Sequence, residues 1–278
     1  MKYNRHQFLK LAGSALGGTL AWTAANGFAG GARLFKSSLQ LGLASYTFRA
    51  FTLDETIEMA KRLELKGISL KSMHMPLEAP AEEIRLLAKK VRDAGLDLYG
   101  AGVIYMKSAA EVQAAFEYAL AAELKMIIGV PNHELLPMVN EKVKQTGIKL
   151  AIHNHGPGDK LYSSPDDVYD RIKSLDPQIG FCIDIGHVRR IGQDPAMMIR
   201  KYRERLYDLH IKDVYKEATE DTAIEVGRGI IDIPAVLKVL EETRYAGYLA
   251  FEYEKDEKDP MPGLAESVGY VRGVLKMI

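Results

Sequence analysis

Four apolar runs in the second half of the chain end in side chains able to ligate a metal or move a proton. They are Ile152-His153-Asn154-His155, Phe181-Cys182-Ile183-Asp184 with His187 just beyond, Asp208-Leu209-His210-Ile211-Lys212, and Ala250-Phe251-Glu252-Tyr253-Glu254. Residues two apart on a strand share a face. His153 therefore goes with His155, Cys182 with Asp184, Asp208 with His210 and Lys212, and Ala250 with Glu252 and Glu254. The alternate positions Ile183, Leu209, Ile211, Leu249, Phe251 and Tyr253 are apolar or aromatic and suit a layer under helices. Carboxylates crowded on one inward face raise each other's pKa unless a cation intervenes. A divalent ion held by His153, Asp184, His210 and Glu252 satisfies that demand. Taken singly, each residue also has a plainer reading, since an inward histidine in an apolar strand is often a hydrogen-bonded core residue. That reading applies most to His155.

The segments that must position these groups alternate between strand-like and helix-like patterns. Strand patterns cover 39–47, 67–73, 97–104, 125–130, 148–155, 180–186, 207–214 and 247–253, and helical patterns cover 54–65, 80–96, 109–124, 133–146, 164–175, 194–206, 233–243 and 264–275. Ser163-Ser164-Pro165-Asp166-Asp167 marks one helix start, with a capping hydroxyl, a first-turn proline and early acids. Eight strand–helix pairs predict a single-domain α/β protein, a (β/α)8 TIM barrel over 36–278. No glycine-rich phosphate loop follows the first strand, which argues against an open doubly wound sheet. In a barrel of this kind functional groups gather at the C-terminal strand ends, so 215–232 reads as a long irregular loop on the active face. His187 is expected in a loop beyond the sixth strand.

Composition narrows the partners. Of 278 residues 47% are hydrophobic, enough for a full core, and 37 basic side chains balance 37 acidic ones. No excess positive field gathers phosphate backbones, so nucleic acid is excluded as an expected partner. The single cysteine, Cys182, rules out an internal disulfide framework. The first 29 residues read as an export signal, with a basic start at Lys2, Arg5 and Lys10, an apolar stretch and a closing Gly27-Phe28-Ala29. Asn4-Arg5-His6-Gln7-Phe8-Leu9-Lys10 resembles the twin-arginine motif with His6 in place of the second arginine. A periplasmic protein without a permanent membrane span is expected, and its mature form lacks Trp22, the one tryptophan. The sequence leaves room for a homo-oligomer.

Ile183-Asp184-Ile185-Gly186-His187, Leu209-His210-Ile211-Lys212-Asp213, Gly227-Arg228-Gly229-Ile230-Ile231-Asp232 and Tyr245-Ala246-Gly247-Tyr248-Leu249-Ala250-Phe251-Glu252 together resemble the xylose isomerase-like superfamily of metal-dependent barrels, in its sugar phosphate isomerase/epimerase branch. That resemblance implies a metal held by a glutamate on the fifth strand, then an aspartate, a histidine and a glutamate, of which the last three fall on Asp184, His210 and Glu252. It also implies a substrate-binding role for His187. Where relatives show Glu-Asn-His on the fifth strand, this chain has His153-Asn154-His155.

Exchanging a carboxylate for a neutral imidazole makes the centre a stronger Lewis acid, more tolerant of zinc, manganese, cobalt or iron than of magnesium. It also occupies the lone pair of one of the two bases that epimerising relatives place on opposite sides of the reacting carbon. Glu252 remains as a base, with His155 or His187 as the second acid or base. Candidate substrate-binding groups are His155, His187, Lys71, Tyr46, Lys212 and Arg228, and His74 lies nearby in sequence. The expected chemistry is metal-assisted proton abstraction beside the carbonyl of a sugar or keto-sugar, through an enediolate, in an isomerase or epimerase. The alternatives are elimination by a keto-sugar (3-keto-glycoside) lyase and a non-catalytic carbohydrate-binding barrel. An endonuclease of the same superfamily is disfavoured by too few ligands for a metal cluster and by the missing basic surface.

Overall fold

A computed structural model describes residues 37–278 apart from 219, 221 and 222. The export segment read at 1–29 lies outside the described residues. Eight parallel strands close into a barrel: β1 (Gln40–Ala44), β2 (Gly67–Leu70), β3 (Asp97–Met106), β4 (Met126–Pro131), β5 (Lys149–His153), β6 (Ile179–Asp184), β7 (Leu206–Ile211) and β8 (Tyr248–Phe251). Each strand pairs with its sequence neighbours, and β1 closes the ring against β8 through Gln40↔Tyr248 to Leu43↔Phe251. The expected (β/α)8 barrel is the observed fold.

The outer helices are α1 (Leu53–Arg62), α2 (Ala81–Asp93), α3 (Ala109–Ala121), α4 (Leu136–Thr146), α5 (Pro165–Ile172), α6 (Ile185–Arg190), α7 (Pro195–Tyr202), α8 (Ile233–Glu242) and α9 (Met261–Leu275). Their ends obey local chemistry. Thr52 and Glu55 form a reciprocal capping box that starts α1. Ser164 accepts the Asp167 N–H at 3.1 Å, with Pro165 in the first turn, so the predicted start of α5 is the observed one. Gly147 stops α4 at φ +70°, a conformation that glycine adopts without steric cost. Strand residues between barrel and helices are buried as their alternation requires: Ile183, Leu209 and Leu249 are fully enclosed, and Tyr253 is nearly so.

Three elements differ from the sequence expectation. Strand β7 ends at Ile211 rather than 214, because Asp213–Val214 leaves the barrel to pair antiparallel with Ala223–Ile224. The stretch 215–232 therefore contains half of a short ribbon and is not wholly irregular. Its glycines wrap one carboxylate: Asp213 accepts N–H bonds from Val214 and Gly227 (2.9 Å each), Gly229 (2.9 Å) and Ile231 (3.2 Å). A Cβ on Gly229 would stand 2.1 Å from Asp213 Oδ1, so only glycine lets the loop close this tightly. Third, His187 lies in the six-residue helix α6, which begins immediately after β6. No helix among the described residues is long and apolar enough to cross a membrane.

Candidate metal centre

The register of the barrel assembles the predicted ligands at one height. His153 closes β5 opposite Cys182, Asp184 closes β6 opposite His210, and Ala250 pairs with His210 so that Glu252 follows just past β8. All four side chains are buried, and one donor atom from each lies within 4.8 Å of every other. His153 Nε2 is 3.1 Å from His210 Nδ1 and 3.7 Å from Asp184 Oδ2, and His210 Nδ1 is 3.2 Å from Glu252 Oε2. Tetrahedral ligands about 2.1 Å from a zinc ion are separated by roughly 3.4 Å. The observed spacings straddle that value, and the nitrogen–oxygen donor set suits zinc and its neighbours. Asp184 Oδ2 is buried and accepts no hydrogen bond, the Lys212 ammonium 3.0 Å away being out of line for one, so a lone pair remains for a metal ion. These residues fit a single divalent metal ion.

Local contacts hold each ligand in place. Asp184 Oδ1 caps α6 by accepting the His187 N–H at 2.9 Å, which turns Oδ2 toward the cluster. Asn154 ties β5 to β6, accepting the Asp184 N–H at 3.1 Å and donating to its carbonyl at 3.3 Å. Behind His210 sits the enclosed carboxylate of Asp208, 3.6 Å from Nε2, and Cys182 Sγ donates to Asp208 at 3.5 Å. At that separation Asp208 acts on the ring by charge rather than by a hydrogen bond. Alternation along β6 and β7 puts 182, 208 and 210 on inward faces, so both neighbours are legible in the sequence.

Lys212 occupies an unexpected place. It is expected from sequence to meet substrate, yet its side chain is 3% exposed and its ammonium donates to Glu252 Oε2 at 2.9 Å and Glu254 Oε1 at 2.6 Å. It also stands 3.0 Å from Asp184 Oδ2, without the alignment of a hydrogen bond. Gly186 makes room for its stem, because a Cβ there would lie 2.9 Å from Lys212 Cδ. Burial alone would drive the Lys212 pKa down, but Asp184, Glu252 and Glu254 reverse this and hold it well above the usual range. In turn, burial would raise the carboxyls of Asp184 and Glu252. His187 and Lys212 for the first, and Lys212 and His210 for the second, keep both well below the ordinary value.

Burial pushes His153 down to about 3, His187 to about 3 and His155 to about 4. These three imidazoles are neutral at pH 7, with lone pairs for a metal or a proton. His210 differs: burial lowers it, but the neighbouring Glu252 and Asp208 carboxylates outweigh burial and raise it.

The remaining candidates divide into two groups. His155 and His187 lie by the cluster, their rings 4.5 and 5.9 Å from that of His153. His155 Nε2 meets the Tyr105 hydroxyl at 3.0 Å and its Nδ1 lies 3.3 Å from Asp159, two partners the sequence reading missed because no strand alternation links them. Arg190 reaches His187 Nδ1 at 3.2 Å. Lys71 donates to the Val103 carbonyl at 2.9 Å, with its ammonium 5.7 Å from the Tyr46 ring and 6.0 Å from Tyr105, so Lys71 and Tyr46 reach the same mouth. Burial lowers the Lys71 pKa against the pull of Glu252.

Arg228 and His74 are elsewhere. Arg228 is 58% exposed and holds Glu266 on α9 through Nε (2.5 Å) and Nη2 (2.6 Å), which corrects its expected substrate contact. His74 is a core residue whose ring nitrogens meet Ser45 (2.9 Å), Thr56 (3.1 Å) and backbone carbonyls. A cavity of about 750 Å³ opens at the opposite, N-terminal end of the strands between Tyr99, Tyr207 and Tyr248. Among the described residues, the groups of converging potential ligand atoms lie at the other end, around His153 and His210.

Comparison with known proteins agrees with this fold. Inosose dehydratase of Clostridium perfringens is 29% identical over 151 residues, covering 49% of this chain and 48% of that protein, so the chain matches about half the length of that relative. The solved L-ribulose 3-epimerase superimposes with a TM-score of 0.70 at 16% identity, over 86% of this chain and 95% of its own. An IOLI protein with a bound zinc atom superimposes with a TM-score of 0.72 at 14% identity, over 86% and 99%. Residues 133–274, from the start of the fourth helical segment to the end of the barrel, match the family model described as xylose isomerase-like TIM barrel. With its closed barrel and its ligand-tipped strands, the chain belongs to the xylose isomerase-like TIM barrel family.

Proposed function

We propose that this protein is a metal-dependent enzyme that removes a proton beside the carbonyl of a sugar or keto-sugar, as an isomerase or epimerase. The observation that carries the reading is the convergence of His153 Nε2, Asp184 Oδ2, His210 Nδ1 and Glu252 Oε2 in a buried pocket. A bound divalent cation would supply the positive charge that steadies adjacent hydroxyl and carbonyl oxygens and the enediolate made from them. The chain's own groups do the rest. Glu252, held ionised by Lys212, is a base at the metal-facing end of β8. His155 and His187 are neutral imidazoles that can accept a proton and return it, and Tyr105 and Arg190 hold their rings in place. Tyr46, Tyr105 and Lys71 offer aromatic faces and one cation to the sugar ring and its hydroxyls.

A second reading, elimination from the same enediolate, is favoured by His153. A base on each side of the carbon serves epimerisation, and a metal-bound imidazole cannot act as one of them. Elimination needs a single proton moved from carbon to the departing oxygen, and a neutral imidazole of the His155–His187 pair can take that proton and hand it on, with the ionised Glu252 beside it. The similarity to an inosose dehydratase agrees with this outcome. The substrate would be a non-phosphorylated carbohydrate, consistent with the export signal read at 1–29 and a periplasmic location, which cell fractionation would test.

Purified protein loaded with Zn²⁺, Mn²⁺ or Co²⁺ should be offered free ketoses, 3-keto-glycosides and inososes in deuterium oxide. Deuterium uptake that Glu252→Gln abolishes supports proton abstraction. Uptake without loss of water or alcohol marks an epimerase or isomerase, and uptake with such loss marks a lyase. Absence of exchange with all three classes refutes the reading and leaves a carbohydrate-binding barrel.

A further inference from the structure

The ammonium of Lys212 shares its carboxylate partners with the metal centre. It donates to Glu252 Oε2 at 2.9 Å and lies 3.0 Å from Asp184 Oδ2. These are the same oxygens that face the imidazoles of His210 and His153. A carboxylate oxygen has two lone pairs, so each can turn one toward a metal and one toward the lysine. Lys212 and a divalent ion thus draw on the same electron density and repel each other across it. Glu254 completes the arrangement: it accepts from Lys212 at 2.6 Å from the outer side, where its own side chain is 40% exposed.

Resting on the metal-centre reading, we propose that Lys212 is a positioning cation that weakens the hold of Asp184 and Glu252 on the metal, and that Glu254 sets how strongly it does so. Two consequences follow from the charges. Before metal binds, Lys212 keeps the two buried carboxylates compensated, so the site stays assembled. Once metal is bound, the ammonium drains charge from both anionic ligands and adds to the effect of the neutral His153. The centre becomes a stronger Lewis acid that exchanges its ion more readily.

The test is metal affinity, read by competition of Zn²⁺ and Co²⁺ against a chromophoric chelator with the full chain. Lys212→Met should tighten binding more than tenfold, because the competing charge is gone. Glu254→Gln should loosen it severalfold, because Lys212 then turns its whole charge on Asp184 and Glu252. The opposed signs distinguish this role from simple support of the fold, which would weaken binding in both variants. Glu254 is half-exposed and its substitution keeps the test alive if Lys212→Met does not fold. Wild-type affinity in Glu254→Gln, or weaker binding in Lys212→Met, overturns the inference while leaving the metal centre intact. A wild-type protein that binds neither ion overturns both.

Discussion

His153→Glu would restore the carboxylate that relatives of the same family carry on the fifth strand, and its cost can be worked from the geometry. The new carboxylate oxygen would replace His153 Nε2, which stands 3.7 Å from Asp184 Oδ2. Two like charges at that distance repel by about 4 kcal/mol at an effective dielectric of about 20. The chain can evade this only by protonating the new glutamate, which at pH 7 costs a similar about 4 kcal/mol for a carboxyl of ordinary pKa. In chelator, therefore, the variant should melt roughly 10 °C below wild type. Metal removes the repulsion, so Mn²⁺ or Mg²⁺ should recover the loss, and binding should tighten by up to about a thousandfold if the whole penalty is relieved. Thermal melts with and without metal, paired with calorimetric titration, measure both numbers. A variant that melts with wild type in chelator and binds Mn²⁺ no better would show that 153 does not face the metal-binding oxygens.

Asp213→Asn replaces an oxygen that accepts backbone N–H groups with an amide that confronts them, and should cost about 3 kcal/mol, visible as a lowered melting temperature with the Asp213–Val214/Ala223–Ile224 ribbon and the 227–231 loop opening first in hydrogen exchange. Metal-free protein should lose stability as pH falls from about 6.5 toward 3. His153, His155 and His187 have folded pKa values of about 3, 4 and 3, below the unfolded value, so they stabilise the fold fully above about 6.5. His210, raised when folded, opposes this in part, its contribution being complete below about 6.5 and lost above its folded pKa. Denaturant titrations in chelator at stepped pH give the slope, and stability that is flat or rising on acidification refutes the assignment. Arg228→Ala, which breaks only a solvent-exposed ion pair, should leave the melting temperature and turnover unchanged, whereas Lys71→Met should raise KM severalfold in steady-state assays.

The sequence by itself determined the barrel and which polar side chains face its interior, because both are written in short-range periodicity. Alternation along a strand places His153, Asp184, His210 and Glu252 inward without knowledge of which strands touch. The repeated strand–helix rhythm then leaves a closed parallel barrel as the arrangement that buries every apolar face. Capping residues such as Ser164 with Pro165 were equally legible, since a helix start is decided by its own first turn.

Tertiary structure alone decided what depends on distances across the chain. Lys212 and Arg228 look alike in sequence, one on each side of a loop, but Lys212 is enclosed by carboxylates from β6 and beyond β8 while Arg228 is taken by Glu266 on α9. His74 and His155 are both histidines near strand ends, yet the first is saturated by core hydrogen bonds and the second opens onto Tyr105 and Asp159. No local pattern records such pairings, because they are set by strand register and by the helix that happens to pack above. The same holds for Asp184: its type and strand position mark it as a candidate ligand, but only the immediate start of α6 shows that one oxygen caps a helix while the other turns toward the buried cluster without a hydrogen-bond partner.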